Sequence, residues 1–320
     1  MAADLAVIGN VVADVLVHPL ARFPAPGLAS AAGSISLVAG GCAFHTAATA
    51  KRLGLAVELH AALGGDAAGD VVRAALRERG LAGPGLQRVK QPTTITVVLV
   101  APSAERSFLI TPGAAARFAL DPSVERRLAR VRHVHLAGFT LLPAVMGRAG
   151  ARLLASLRRR GITTSLDIAW NESADFRRGL DPLLPHLTAM MPSREEAEAA
   201  SGMRDARAAA RWLHARGVEH VLVTEGKRGA LLLDAEGEQI VPAPRVRVVD
   251  TTGAGDGFAA GWLAGYLDPA LLPPALVRRE GARGARLRYA SACGALACTG
   301  LGGEAGPRDA AAVRRLLARP

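Results

Sequence analysis

Aromatic residues are scarce in this 320-residue chain, which carries three Trp, two Tyr and seven Phe. With so few rings available to stack bases, a nucleic-acid surface is disfavoured in spite of the formal net charge of +11. Lysine is scarcer still. Lys51, Lys90 and Lys227 are the only three among 39 basic residues, so the excess is arginine, scattered in short clusters such as Arg158 to Arg160. With the heavy use of Ala and Gly, that bias has the look of a GC-rich coding sequence, and no nucleic-acid partner is expected. A basic balance also suits a protein that handles nucleotides and phosphorylated products. Cysteine is limited to Cys42, Cys293 and Cys298 with no Cys-x-x-Cys pair, which argues against a disulfide scaffold or a zinc site. Long apolar runs are missing too. Stretches such as Ile95 to Val100 and Val221 to Val223 fall far short of the ~20 residues a spanning helix needs. The N-terminus shows no basic region, apolar run and cleavage pattern of a signal peptide. A reduced, cytoplasmic, soluble protein with no membrane partner is the expectation.

What the chain does have is apolar content: half of its residues are hydrophobic and they run through its whole length. That suffices for a substantial core and argues against disorder. Short Val/Ile/Leu runs at 3–9, 57–63, 133–136, 163–167 and 220–224 read as strands. Longer Ala/Leu/Arg stretches at 46–53, 70–79, 146–160, 194–201 and 206–216 read as helices, several ending at Gly54, Gly80, Gly161 or Gly217. Such alternation predicts βαβ units and a mostly parallel, doubly wound α/β sheet. Two places break it. Segments 11–17 with 35–38, and 94–100 with 107–111, read as antiparallel pairs, the second joined by a hairpin loop at 101–106 containing Pro102. Together they predict a small β-structure beside the main sheet, serving as a cover over a site or as an interface. The stretch 272–288 reads as a loosely patterned insertion before the last helices, and the chain as a single domain over 1–320.

The sharpest signal is Asp250-Thr-Thr-Gly-Ala-Gly-Asp-Gly-Phe258. It follows a strand-like run at 245–249 and opens a helix with Phe258, Trp262 and Tyr266 at four-residue spacing. Small residues at 253–255 let the backbone approach a ligand, and the first turn of the helix offers unpaired N–H groups and a positive dipole end to an anion. Asp256 lies inside that anion site. A carboxylate beside bound phosphate is costly unless it has a task, and accepting a proton from an attacking hydroxyl is the natural one. An N-capping Asp on a glycine turn would explain one Asp and one Gly, but not the whole constellation. No Gly-x-x-x-x-Gly-Lys-[Ser/Thr], His-Glu-x-x-His or Gly-x-Ser-x-Gly occurs. His133 and His135 share a strand face and could reach a metal, although hydrogen-bonded core histidines are far commoner.

The Asp250–Phe258 segment resembles the C-terminal signature of the PfkB carbohydrate kinase family, which has the ribokinase-like fold. The resemblance extends along the chain through Ala39-Gly-Gly-Cys-Ala-Phe-His-Thr-Ala47 leading to Gly54, Leu63-Gly-Gly-Asp66 with Gly69, Pro192-Ser-Arg-Glu-Glu196 with Gly202, and Thr224-Glu-Gly226 with Gly229. It implies a three-layer α/β/α domain with a mostly parallel central sheet and a small β-sheet lid, here from about 11–40 and 90–112. It implies Asp256 as the base, and Gly253, Ala254 and Gly255 as the anion hole for the transferred phosphoryl group. Asp14 would hold substrate hydroxyls, with Gly40 and Gly41 letting a sugar lie against the backbone. Glu196 would organise Mg²⁺ through water. Ser193, Thr224, Gly226, Gly229, Thr252 and the segment from Cys293 to Gly302 would surround ATP. Asp250 and Thr252 correspond to positions that contribute to a monovalent-cation site, K⁺ for instance, in some members. The lid of such kinases often also makes a homodimer.

Departures from the family pattern bear on the substrate. His45 stands where the family usually has Asn, and protonated it would favour an anionic group, whereas otherwise it is a core or supporting residue. Ser193 stands where many members have Asn. Asp167-Ile-Ala-Trp170-Asn171 replaces the commoner Asp-x-Asn-x-Arg, which argues against substrates that already carry a phosphate. Arg106 in the lid either touches a substrate or phosphate or is a solvated hairpin arginine, and Trp170 stacks on a sugar or fills space behind the sheet. The leading expectation is ATP-dependent phosphorylation of a primary hydroxyl on a sugar or sugar-like polyol. A nucleoside kinase of the same fold is the alternative, and a non-catalytic sugar or nucleotide sensor a weaker one.

Overall fold

The computed structural model of the protein describes residues 3–101, 106–169, 176–302 and 306–319. In chain order its elements are β1 (Leu5–Gly9), β2 (Val12–His18), β3 (Ser34–Gly40), α1 (Cys42–Arg52), β4 (Val57–Gly64), α2 (Ala67–Glu78), β5 (Leu86–Val89), β6 (Ile95–Val100), β7 (Arg106–Ile110), α3 (Pro122–Leu128), β8 (His133–Ala137), α4 (Gly147–Arg159), β9 (Thr163–Leu166), α5 (Phe176–Leu180), β10 (Ala189–Met190), α6 (Arg194–Ser201), α7 (Ala206–His214), β11 (His220–Thr224), β12 (Ala230–Asp234), β13 (Gly237–Val241), α8 (Ala254–Leu267), α9 (Pro274–Ala297) and α10 (Ala310–Leu317). Trp170, Asn171 and Pro102 lie outside the described residues.

The main sheet has nine strands in the order β13-β12-β11-β10-β9-β8-β1-β4-β5. It is parallel from β5 to β11 and antiparallel through β12 and β13. Alternate residues of β1 show why both faces must be covered. Leu5 and Val7 join the core with α1, α8 and α9, while Ala6 and Ile8 join the core with α3, α4 and α7. Strand order reverses around β1, with β4 and β5 to one side and β8 onward to the other. A crevice therefore opens at the C-terminal ends of β1 and β8, where ligands of open α/β sheets bind.

The two predicted β pairs form one four-stranded sheet, β3-β2-β6-β7. β2 joins them by pairing parallel with β6, which sets Asp14 opposite Thr96. The hinge of this lid is anchored by Asp66. Its carboxylate caps α2 through Gly69 N at 3.0 Å and accepts from Thr93 N at 2.9 Å and Thr93 Oγ1 at 2.5 Å. Thr94 then clamps the return leg, donating to Pro112 O at 2.8 Å and accepting from Ala115 N at 3.0 Å. The Gly-x-Asp motif thus fixes the point from which the lid departs.

Two expectations need correction. The stretch 272–288 is not a loose insertion, because from Pro274 on it is the first part of α9, broken where Gly281 adopts φ +74°. Its Ala, Leu and Arg favour helix, and Arg283 ties it to the β12–β13 hairpin through Asp234, Gln239 and Gly237. Residues 245–249 form no strand, because their neighbour is the end of α9: Val249 N donates to Cys298 O at 2.8 Å. No helix among the described residues is long and apolar enough to cross a membrane.

Candidate active site

The crevice is a cleft of about 480 Å³ whose lining includes Arg106, Asp167, Ser193, Glu196, Thr224, Gly226, Ala254, Gly255 and Asp256. A larger groove of about 970 Å³ lies between α3 and α4, but it is lined mostly by Ala, Leu and Arg and holds none of the motif residues. Chemistry favours the smaller one.

Gly253 caps α8 with φ +76°, a left-handed conformation that favours glycine. Gly257 N donates to Gly253 O and Ala254 N to Thr251 O at 3.3 Å, and the amides of Gly253, Gly255 and Asp256 have no acceptor among the described residues. Of the expected 253–255 amides, those of Gly253 and Gly255 are therefore open to an anion, beside that of Asp256. The Asp256 side chain, half-buried, projects from the same turn. Burial and the charge of Asp167 push its carboxyl well above the usual carboxylate range, Glu196 and Asp14 add to this, and a hydrogen bond from the Cys42 thiol opposes it. A carboxyl so tuned is a stronger base once ionised.

Asp14 sits buried in β2, its carboxyl pushed up to about 7 by burial against a hydrogen bond with Thr96. Gly40 is explained by this neighbour, since a Cβ there would run into the Asp14 carboxylate. Gly41, with φ +98°, likewise leaves no room for a Cβ, which would come 2.5 Å from Asn10 O. The glycine pair therefore makes space for Asp14 and Asn10 in the first place.

On the opposite wall Ser193 and Glu196 form a reciprocal cap of α6. Ser193 N donates to Glu196 Oε2 at 2.8 Å, and Glu196 N to Ser193 Oγ at 3.2 Å. Glu196 is pushed up to about 7 by burial, with Asp167 contributing. Ser193 also bridges Thr224 at the end of β11, where the turn through Gly226 begins. Gly229, at φ +110°, leaves no room for a side chain, since a Cβ would strike Val241 O.

Other expected residues fall elsewhere. Cys293 is wholly buried where α9 crosses α8, and a Cβ on Gly261 would come 2.8 Å from its Cβ. It packs the two helices together and is not exposed to the cleft. His45 is buried in α1 beside Phe44, ring centroids 5.4 Å apart, and its Nε2 has no partner among the described residues. Burial, with Arg52 and Arg79, lowers it to about 4, so the protonated form that would attract an anion is not populated at neutral pH. At the expected monovalent-cation position, Asp250 accepts from Thr252 N at 2.9 Å, Thr252 Oγ1 at 2.8 Å and Gly302 N at 2.8 Å, and Arg106 Nη1 lies 3.5 Å from its Oδ1.

Asp167, quoted above but given no role, is the residue that sequence reasoning missed. It follows β9 at the crevice, accepts from Gly138 N at 2.5 Å, and pairs with His135 Nε2 at 3.0 Å. His135 continues through Ser165 to His133 and Thr163, each step 2.7 Å. Both histidines are thus engaged in a buried hydrogen-bonded row. Its position at a strand's C-terminal end was the available signal.

Residues 2–310 match the PfkB family carbohydrate kinase domain. The chain belongs to that family. Among its PfkB relatives, ribokinase of Haemophilus influenzae is 25% identical over 277 residues, 84% of this chain and 87% of the relative. A nucleoside kinase of Methanothermobacter thermautotrophicus is 27% identical over 283 residues, 82% of each chain. The solved structure of Arabidopsis thaliana ribokinase complexed with ribose and ATP superposes with a TM-score of 0.81 at 24% identity, covering 100% of both chains. The fold is ribokinase-like, and the protein is a PfkB-family phosphotransferase whose acceptor class is a carbohydrate or a nucleoside.

Proposed function

We propose that this PfkB kinase moves the γ-phosphate of ATP to a primary hydroxyl of a sugar or sugar-like polyol. The observation that carries the reading is the Asp256 carboxyl beside the open amides of Gly255 and Asp256 in the lining of the cleft, close enough to Asp14 to feel its charge. Asp14 orients the acceptor through its hydroxyls. Asp256 takes the proton of the attacking hydroxyl, and the two amides meet the negative charge on the phosphoryl group in flight. The lid excludes the water that would otherwise compete for the phosphate.

The charge of Asp167 adds to the rise of both the Asp256 and the Glu196 carboxyls, a concentration of negative charge that suits a hydrated divalent cation. Mg²⁺, when bound, supplies charge neutralisation to the phosphates, and Glu196 with Asp167 would hold its water shell. Glu196→Gln keeps the cap on α6 but removes the charge. The Mg²⁺ concentration for half-maximal rate should rise about tenfold with an unchanged melting temperature; an unchanged Mg²⁺ requirement places the ion elsewhere.

The lid's two edge strands leave Ile35, Leu37, Phe108, Leu109 and Ile110 exposed. Open apolar edges of this kind favour pairing with a second copy, and a homodimer through the lid is part of the proposal. Leu109→Asp should shift sedimentation from dimer to monomer, and a monomeric wild type removes this element.

ADP release with Mg·ATP across hexoses, pentoses, polyols, sugar acids and nucleosides tests the acceptor class. The proposal expects a sugar or polyol to exceed every nucleoside in kcat/KM. A nucleoside at the top replaces it with the nucleoside-kinase reading, for which the Methanothermobacter relative is the precedent.

A further inference from the structure

Arg106 begins β7 in the lid, 146 residues away from Thr252 in sequence, yet its guanidinium crosses to the catalytic turn. Nη1 donates to Thr252 Oγ1 at 2.6 Å and Nη2 to Thr251 Oγ1 at 2.5 Å, while Asp250 Oδ1 lies 3.5 Å from Nη1. Phe108 backs the guanidinium at 5.6 Å. Asp250 is 3% exposed, and a carboxylate so deeply buried needs both hydrogen bonds and a counter-charge. The neutral donors Thr252 and Gly302 supply the first, and Arg106 supplies the second. The planar fork matches two hydroxyls and a carboxylate in a way a lysine would not.

We propose that Arg106 is the latch of the lid and the built-in counter-ion of Asp250. Closing the lid delivers the guanidinium to the 250–252 turn, which runs directly into Gly253 and the open amides of α8. Lid closure and setting of the anion hole are then one event, and turnover needs no monovalent cation. Arg106 acts here as a positioning residue, through Thr251, Thr252 and Asp250. The inference rests on the kinase reading for its effect on rate, but its effect on the lid is independent of any acceptor.

Two readouts test it on Arg106→Ala, Thr251→Val and the double variant. Without ligands, hydrogen exchange at the amides of 107–110 should quicken at least tenfold in Arg106→Ala. With ATP and the acceptor, wild-type kcat should be equal within about twofold in K⁺ or tetramethylammonium salts. Arg106→Ala should lose at least tenfold in kcat, regain part of it with added guanidinium ion or K⁺, and show little further loss on adding Thr251→Val. Unchanged exchange overturns the latch, whatever the kinetics. Wild-type dependence on K⁺, losses that add fully, or a loss no cation restores overturn the counter-ion role. Quickened exchange in a protein that phosphorylates nothing upholds the latch while removing the kinase reading, which keeps the two failures apart.

Discussion

Asp256→Asn lowers kcat by about 10³-fold while ATP affinity stays within about twofold, an expectation set by the 10²–10⁴-fold typical of a positioned base. Asn preserves the volume of the side chain and the backbone of the first turn of α8, so the open amides remain. What goes is the ability to accept a proton. Removing a negative charge beside the phosphates leaves ATP binding unharmed, so equilibrium binding measured beside turnover separates base from binding residue. A kcat within tenfold of wild type would take the base away from Asp256. Loss of ATP binding would instead make it a nucleotide ligand.

Asp14→Asn has effects of opposite sign on function and on stability. The acceptor KM should rise about 100-fold, with the KM for ATP unchanged, because the acidic partner for substrate hydroxyls is lost. Stability follows from burial. With its native carboxyl raised to about 7, against an ordinary value near 4 in the unfolded chain, the folded state holds a proton that the unfolded chain has released between those limits. Stability contributed in acid is therefore lost as pH rises through that window, by roughly 1.4 kcal/mol per pH unit at most. Asn carries no such dependence, so the variant should gain on wild type in melting temperature between pH 5 and pH 8. His45 and His60, both lowered to about 4 by burial, act in the opposite direction between about pH 4 and 6.5, but they cancel in the comparison. A melting difference independent of pH would mean that Asp14 is ionised throughout. The trade is that of an ionisable group kept in a dry place for its function.

The sequence carried the fold well where local patterns and topology agree. Alternating short apolar runs and Ala-rich helical stretches defined the doubly wound sheet, and the two interruptions defined the lid. Residues 272–288 misled because arginine and proline density obscured a good helix whose break needs one glycine. Residues 245–249 misled because a β-rich run pairs only if a strand lies alongside, and here a helix end does. In the candidate site, Asp256, Asp14 and Glu196 could be singled out from motifs that set them beside glycines or a helix cap. Long-range packing was not. That Cys293 faces Gly261, that Asp167 meets Asp256, and that Arg106 spans from the lid to Thr252 depend on chain segments far apart in sequence, which no local spacing encodes.

The central claim is phosphoryl transfer from ATP to an acceptor hydroxyl with Asp256 as base. Phosphorus NMR of the reaction of wild type and Asp256→Asn with Mg·ATP and the best acceptor tests it most directly. The account predicts a phosphomonoester resonance on the acceptor that grows in step with ADP, and that is reduced about 10³-fold in the variant. ADP appearing with inorganic phosphate alone, or an ester formed equally fast by Asp256→Asn, would contradict it.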